Sequence, residues 1–171
     1  MPDIPRKKVG IVSCSGEEIP EGTISRIATR LVLEKLRPED TVTICLPLFL
    51  AGGQEERAFA RFYPTIAVDG CPKLCAKHGT ERYSGQVTDV IVVSELLNGQ
   101  EIKPGWRRSL DGRGMRLAEQ VAEVIASRVD GILKATYEEV KPDLIPVTIQ
   151  DKAPSPGQRR SIAGVRPRGY R

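Results

Sequence analysis

Residues 64–78 read Pro-Thr-Ile-Ala-Val-Asp-Gly-Cys-Pro-Lys-Leu-Cys-Ala-Lys-His, and this stretch decides the fold. Its apolar start, residues 64–68, is typical of a short buried strand. Pro72 suits the first position of a helix, where its missing N–H would have no partner, so a helix is predicted from this point. Because residues four apart share a helical face, Cys71 and Cys75 are predicted to point the same way and to form half of a metal site.

Further apolar runs predict the other strands of a sheet. They are rich in β-branched and aliphatic residues and lie at residues 8–13, 41–45 and 87–94. Helical spacing of apolar residues predicts the elements between and after these strands. The first helix covers residues 24–36, with Thr23 as its N-cap, and two more cover residues 54–62 and 110–133.

The alternation of strands and helices predicts an α/β fold. We expect three layers, with a mainly parallel sheet of about four to five strands and helices on its faces. Cys14, Cys45 and Cys71 each follow a predicted strand, and Cys75 lies one turn beyond. The carboxyl ends of parallel strands meet at one edge of a sheet, where ligands bind. The topology therefore predicts that all four cysteines converge on that edge.

With these residues in place, the sequence resembles the DGC domain family, named for its Asp-Gly-Cys motif. The matching pieces are the Asp-Gly-Cys of residues 69–71, Cys75 four residues after Cys71, Cys45, and Ser-Cys-Ser-Gly at residues 13–16. The resemblance covers about residues 8–95. It implies a zinc site made by the four cysteines, and it implies no reaction.

Four thiolates suit tetrahedral Zn²⁺, and we expect Cys14, Cys45, Cys71 and Cys75 as its ligands. The same ligand set also serves an iron–sulfur cluster, and spacing alone does not exclude one. Thiol redox chemistry of the Cys71 and Cys75 pair is a third option, because Cys71, at a predicted helix N-terminus near Lys73 and Lys77, should favour its thiolate. These three interpretations stay open.

Two residues near the Asp-Gly-Cys motif have alternative roles. His78, the only histidine, is seven residues after Cys71 and could act as a ligand, although a solvated helix position is the commoner outcome. Asp69 is expected to cap the following turn rather than to bind metal. Ser13 and Ser15 flank Cys14 and could donate hydrogen bonds to its sulfur.

The chain divides by composition into an α/β metal-binding domain, residues 1–140, and a Pro-rich basic extension, residues 141–171. The formal net charge is +4, but residues 151–171 hold six Lys or Arg and one acid, so the rest is close to neutral. The extension is irregular and predicts homo-oligomer docking; no recognised nucleic-acid fold is visible, so nucleic acid is the weaker partner. No signal peptide or membrane span is seen, which predicts a cytoplasmic protein with reduced thiols and no membrane partner.

Overall fold

The computed structural model describes residues 7–14, 16 and 18–140, with side chains to residue 136. Within them lies one sheet of four parallel strands in the order β2-β1-β3-β4. The strands are β1 Val9–Ser13, β2 Thr41–Thr43, β3 Thr65–Asp69 and β4 Asp89–Val92. The predicted parallel α/β sheet is confirmed. The predicted extension, residues 141–171, lies outside the described residues.

Helices connect the strands and cover both faces of the sheet. They are α1 Pro20–Leu31, which continues as a π-helical turn Val32–Leu36, α2 Leu48–Ala51, α3 Gln54–Arg57, α4 Phe59–Phe62, α5 Cys75–Tyr83, α6 Val93–Leu96, a 3₁₀ turn Pro104–Arg107 and α7 Gly112–Val140. None of these helices combines the length and apolar character needed to cross a bilayer.

Successive side chains of a strand point to opposite faces of the sheet, and they contribute to two separate hydrophobic cores. On one face, Val9 and Ile11 of β1 pack with α1 and α7, and buried Trp106 joins this core. On the other face, Val12 packs with residues of α2, α4 and α5, including Phe49. A strand buried on both faces must be apolar, as β1 is from Val9 to Val12. The sheet is therefore the middle of three layers, as predicted.

The helix predicted over residues 54–62 is divided into α3 and α4, and two other helix starts differ from the prediction by more than two residues. Helix α1 begins at Pro20, whose fixed φ suits the first turn, so Thr23 is inside the helix and not its N-cap. The buried Thr23 hydroxyl instead donates to the Arg107 carbonyl at 2.7 Å, which links the 3₁₀ turn Pro104–Arg107 to α1. Helix α5 begins at Cys75 and not at Pro72, because Leu74 adopts a left-handed conformation with φ of 54°.

Three glycines let backbones meet directly at the carboxyl edge of the sheet. A Cβ on Gly22 would stand 2.3 Å from the Gly16 Cα, and one on Gly70 would stand 2.6 Å from the Gly22 nitrogen. Gly16 also has a positive φ of 66°, which side chains rarely adopt. The N-terminus of α1 is thereby pressed against the loops that follow β1 and β3.

We predict that Gly22→Ala lowers the free energy of unfolding by about 1–3 kcal/mol, because the methyl group would overlap backbone atoms that cannot retreat. Gly131→Ala in α7 is the matched control, since nothing lies within 4 Å of its added Cβ. The control should gain up to about 1 kcal/mol from helix propensity. Urea denaturation of both variants measures the difference, and equal effects would contradict this packing.

Candidate metal centre

The four cysteines all follow the carboxyl ends of strands, and we call this region the thiol edge. Cys14 comes directly after β1, Cys45 two residues after β2, and Cys71 two residues after β3. Cys75 is the first residue of α5. Because β2, β1 and β3 are adjacent and parallel, the first three cysteines leave the sheet at the same edge. All four are free thiols.

Cys14 is the buried member, with 8% of its surface exposed. Its sulfur accepts a hydrogen bond from the Gly70 N–H at 3.3 Å and lies 3.4 Å from the Ser25 hydroxyl. The Ser25 hydroxyl also lies 2.8 Å from the Gly22 carbonyl, which accepts its proton. Because that proton goes to the Gly22 carbonyl, the Ser25 oxygen accepts from the Cys14 thiol in this arrangement. The Cys14 sulfur is therefore held by two neighbouring groups at the end of β1.

Asp69 ends β3 and is 1% exposed. Its two carboxylate oxygens accept the N–H groups of Ala76 at 2.7 Å and Lys77 at 3.1 Å. These are unpaired donors of the first turn of α5, so Asp69 caps the helix from the end of the strand, as expected. Burial raises the pKa of this carboxyl, while the two N–H bonds and nearby His78 oppose the rise. Capping also fixes where α5 starts, and thus where Cys75 lies.

Cys71 and Cys75 do not share a helical face, so that prediction is wrong. Cys71 lies in a turn before α5, whose first residue is Cys75, and the Leu74 between them has left-handed backbone. A left-handed leucine costs on the order of 1–2 kcal/mol. Because Cys71 lies outside α5, it shares no helical face with His78 either. The His78 side chain is exposed on α5.

The thiol at the start of α5 is that of Cys75. The pKa of Cys75 is raised, first by desolvation of its sulfur and then by the charges of Asp69, Cys14 and Cys71, with Lys73 acting in the opposite direction. Cys71, for which activation was predicted, is not at a helix N-terminus. The charges on Cys14 and Cys71 act on Cys75, so these three sulfurs are electrostatic neighbours.

Cys45 approaches the thiol edge from the other side. It is exposed, and it lines a cavity of about 320 Å³ together with Cys14. Among the described residues, no three Cys, His, Asp or Glu side chains are grouped closely enough to hold a metal ion. The donor chemistry of four thiols fits zinc, but these sulfurs must draw together to bind it.

Hydroxyl and guanidinium groups of α1 at this edge were not found by sequence reasoning. Ser25 contacts the Cys14 sulfur, while Arg26, Thr29 and Arg30 line the cavity. The available signal was spacing: Ser25 and Thr29 are four apart on a helix that otherwise buries apolar residues. Of the two serines expected at Cys14, Ser13 lines the cavity and Ser15 lies outside the described residues.

The profile of the DGC domain matches residues 10–105, more than half of the 171-residue chain. The chain therefore belongs to the DGC domain family. The match contains the four cysteines and ends just before Trp106, so α7 lies beyond it. No curated protein and no solved structure matches this chain.

We predict that Asp69→Ala lowers the free energy of unfolding by about 1–3 kcal/mol, because two N–H groups of α5 lose a buried acceptor. The control is Glu81→Ala on the same helix, whose 3.6 Å ion pair with Lys77 is partly exposed. That pair is worth less than about 1 kcal/mol. Chemical denaturation compares the two, and a larger loss in Glu81→Ala would refute the capping role.

We also predict slow alkylation of Cys75 in metal-free protein. A raised pKa leaves less thiolate at a given pH, so iodoacetamide should modify Cys75 at pH 8 more slowly in folded than in guanidine-unfolded protein. Peptide mass spectrometry measures each rate. A folded-state rate equal to the unfolded rate would contradict the shift.

Proposed function

We propose that this member of the DGC domain family binds one zinc ion through the thiolates of Cys14, Cys45, Cys71 and Cys75, as an exchangeable metal and not as a locked structural one. The observation that carries the proposal is the buried Cys14 sulfur. It has an N–H donor and a hydroxyl in place around it, and it is one cause of the raised pKa of Cys75, after desolvation and the charge of Asp69. Hydrogen bonds of this kind support metal-bound thiolates.

The mutual repulsion of the thiolates is an argument for a cation. Bringing Cys14, Cys71 and Cys75 close together is unfavourable when they are ionised, which is one cause of the raised pKa of Cys75. A divalent ion reverses the sign of that interaction and favours the deprotonated sulfurs. Zinc, with four sulfur ligands at about 2.3 Å, satisfies all four thiolates at once.

Exposure of the thiols supports exchange with solution. Cys45 and Cys75 are exposed and Cys71 is partly exposed, whereas Cys14 alone is buried. The two cores form from apolar residues of the sheet and helices, and Cys14 is the only cysteine that contributes to them. The fold therefore does not depend on the metal as a zinc finger does. A role in zinc handling or sensing fits these features better than a purely structural role.

Closing the site requires movement of the exposed cysteines. Cys45 and Cys71 lie in turns, and their carbonyls accept the N–H groups of Leu48 at 2.9 Å and Leu74 at 3.2 Å. Neither cysteine is within a strand or helix, so side-chain rotation and small turn adjustments need not break the sheet. Cys14 and Cys75 are held by β1 and by the capped α5, and they would act as the fixed pair.

Metal analysis of protein purified without added metal tests the proposal. We expect about one zinc per chain in the parent and little in Cys14→Ser or Cys71→Ser, because serine is a poor ligand for zinc. Removal of zinc by a chelator should leave the far-ultraviolet circular dichroism spectrum nearly unchanged. Unchanged zinc content in both variants would remove the assignment.

Two controls separate the alternatives. His78→Gln should keep its zinc, and loss of zinc in this variant would make the histidine a ligand. A colourless parent agrees with zinc, whereas visible absorption together with iron and sulfide would indicate an iron–sulfur cluster. Either of those two opposite results would replace the four-thiolate zinc site.

A further inference from the structure

We propose that the cavity beside Cys14 and Cys45 binds a small organic anion, a carboxylate carried by an apolar body. The cavity measures about 320 Å³ and lies between α1 and the segment that follows β2. Ligand pockets in proteins begin at about 300 Å³, so a compact molecule fits. The proposal depends on groups of α1 and does not require the metal.

One side of the cavity is cationic. Arg26 and Arg30, one helical turn apart on α1, both line it, and none of its described lining residues is acidic. Arg30 donates to the Glu34 carboxylate through Nε at 2.9 Å and Nη2 at 2.8 Å. That ion pair is largely exposed, so a carboxylate in the cavity competes with it at little cost. The charge of this side selects an anion.

A buried hydroxyl on the same side lacks a hydrogen-bond partner. Thr29 also lines the cavity, is 3% exposed, and its Oγ1 makes no hydrogen bond within the described part of the chain. A buried polar group without a partner is unfavourable, and native proteins seldom keep one without a reason. The Thr29 Oγ1 is itself covered in the free protein, so it would donate to a carboxylate in the cavity only after the side chain turns to its other helical rotamer.

The opposite side is apolar and distinguishes an organic anion from an inorganic one. It is formed by Ile44, Leu46 and Pro47, and Leu33 of the π-helical turn adds an apolar side chain next to the arginines. A bare phosphate would leave these side chains without contacts, whereas an aromatic or aliphatic body would cover them. The two thiols complete the wall, so the bound anion would lie against the thiol edge.

Nuclear magnetic resonance titration of the full chain tests the proposal with three probes. Benzoate carries both the charge and the apolar body, inorganic phosphate lacks the body, and benzyl alcohol lacks the charge. We expect benzoate to shift amide signals of residues 26–33 and 43–47 and to bind about tenfold more tightly than either other probe. Absence of benzoate binding, or equal binding of phosphate or benzyl alcohol, would overturn the proposal.

Variants of Thr29 give a paired signature. Thr29→Val removes the unpartnered hydroxyl, so it should raise the melting temperature of the free protein while weakening benzoate binding about fivefold. The matched control is Thr41→Val at the other end of the sheet, whose hydroxyl donates to the Arg37 carbonyl at 2.6 Å. The control should lower the melting temperature and leave benzoate binding unchanged. Unchanged benzoate binding in Thr29→Val would refute the site.

Charge variants test the cationic side. Arg30→Gln should weaken benzoate binding, and Glu34→Gln should strengthen it, because the competing carboxylate is gone. Opposite signs in these two neighbouring variants are required, and equal or reversed effects would overturn the role of Arg30. Since these changes avoid the cysteines, they are expected to leave zinc content unchanged, and failure of the anion site is thus distinct from failure of the metal site.

Discussion

The close contact between the backbones of Gly16, Gly22 and Gly70 is the constraint on which the thiol edge depends. No side chain fits between these three segments, so the start of α1 and the loops after β1 and β3 lie directly against one another. That approach brings the Gly70 N–H to the Cys14 sulfur and places the Ser25 hydroxyl beside it. Because Gly70 precedes Cys71, the contact also draws the Asp-Gly-Cys turn toward the end of β1. A larger residue at any of these positions would separate the groups that the site needs together.

The acidic groups of the thiol edge have different electrostatic surroundings and different roles. The Asp69 carboxylate is buried and engaged by two N–H groups of α5, which makes it a fixed support for the helix and leaves ligation to sulfur. Its charge, with those of Cys14 and Cys71, opposes ionisation of Cys75. A metal ion must therefore displace protons from at least some of these thiols, and its affinity should fall as the pH is lowered. Zinc in the proposed site would thus be bound in exchange for protons.

Cys14 and Cys45 belong to the thiol edge and also line the cavity beside α1, so the proposed metal site and the proposed anion site share two residues. The cavity takes its charge from α1 and its apolar side from the π-helical turn and the residues that follow β2, and Cys14 and Cys45 lie in both. An anion in the cavity would stand next to the proposed zinc ligands. Such an arrangement couples the two with opposite preference, since zinc held by four thiolates is net negative and an anion beside it is repelled. The cores beneath the edge remain apolar and need neither ligand.

The sequence alone determined the layered α/β architecture and the shared edge, because continuous apolar runs and helical spacing are local patterns, and parallel strands leave no second edge for Cys14, Cys45 and Cys71. The Asp-Gly-Cys motif likewise indicated the family and the capping role of Asp69. Only the tertiary structure decided how the sulfurs are held. Pro72 predicted a helix start by local preference, yet Asp69 binds the N–H groups of Ala76 and Lys77 from another element and so moves the start to Cys75. The hydroxyls and arginines of α1 also lie at this edge because of contacts between segments that are distant in sequence. Glycines that meet backbone to backbone make those contacts possible, and no local sequence pattern predicts them.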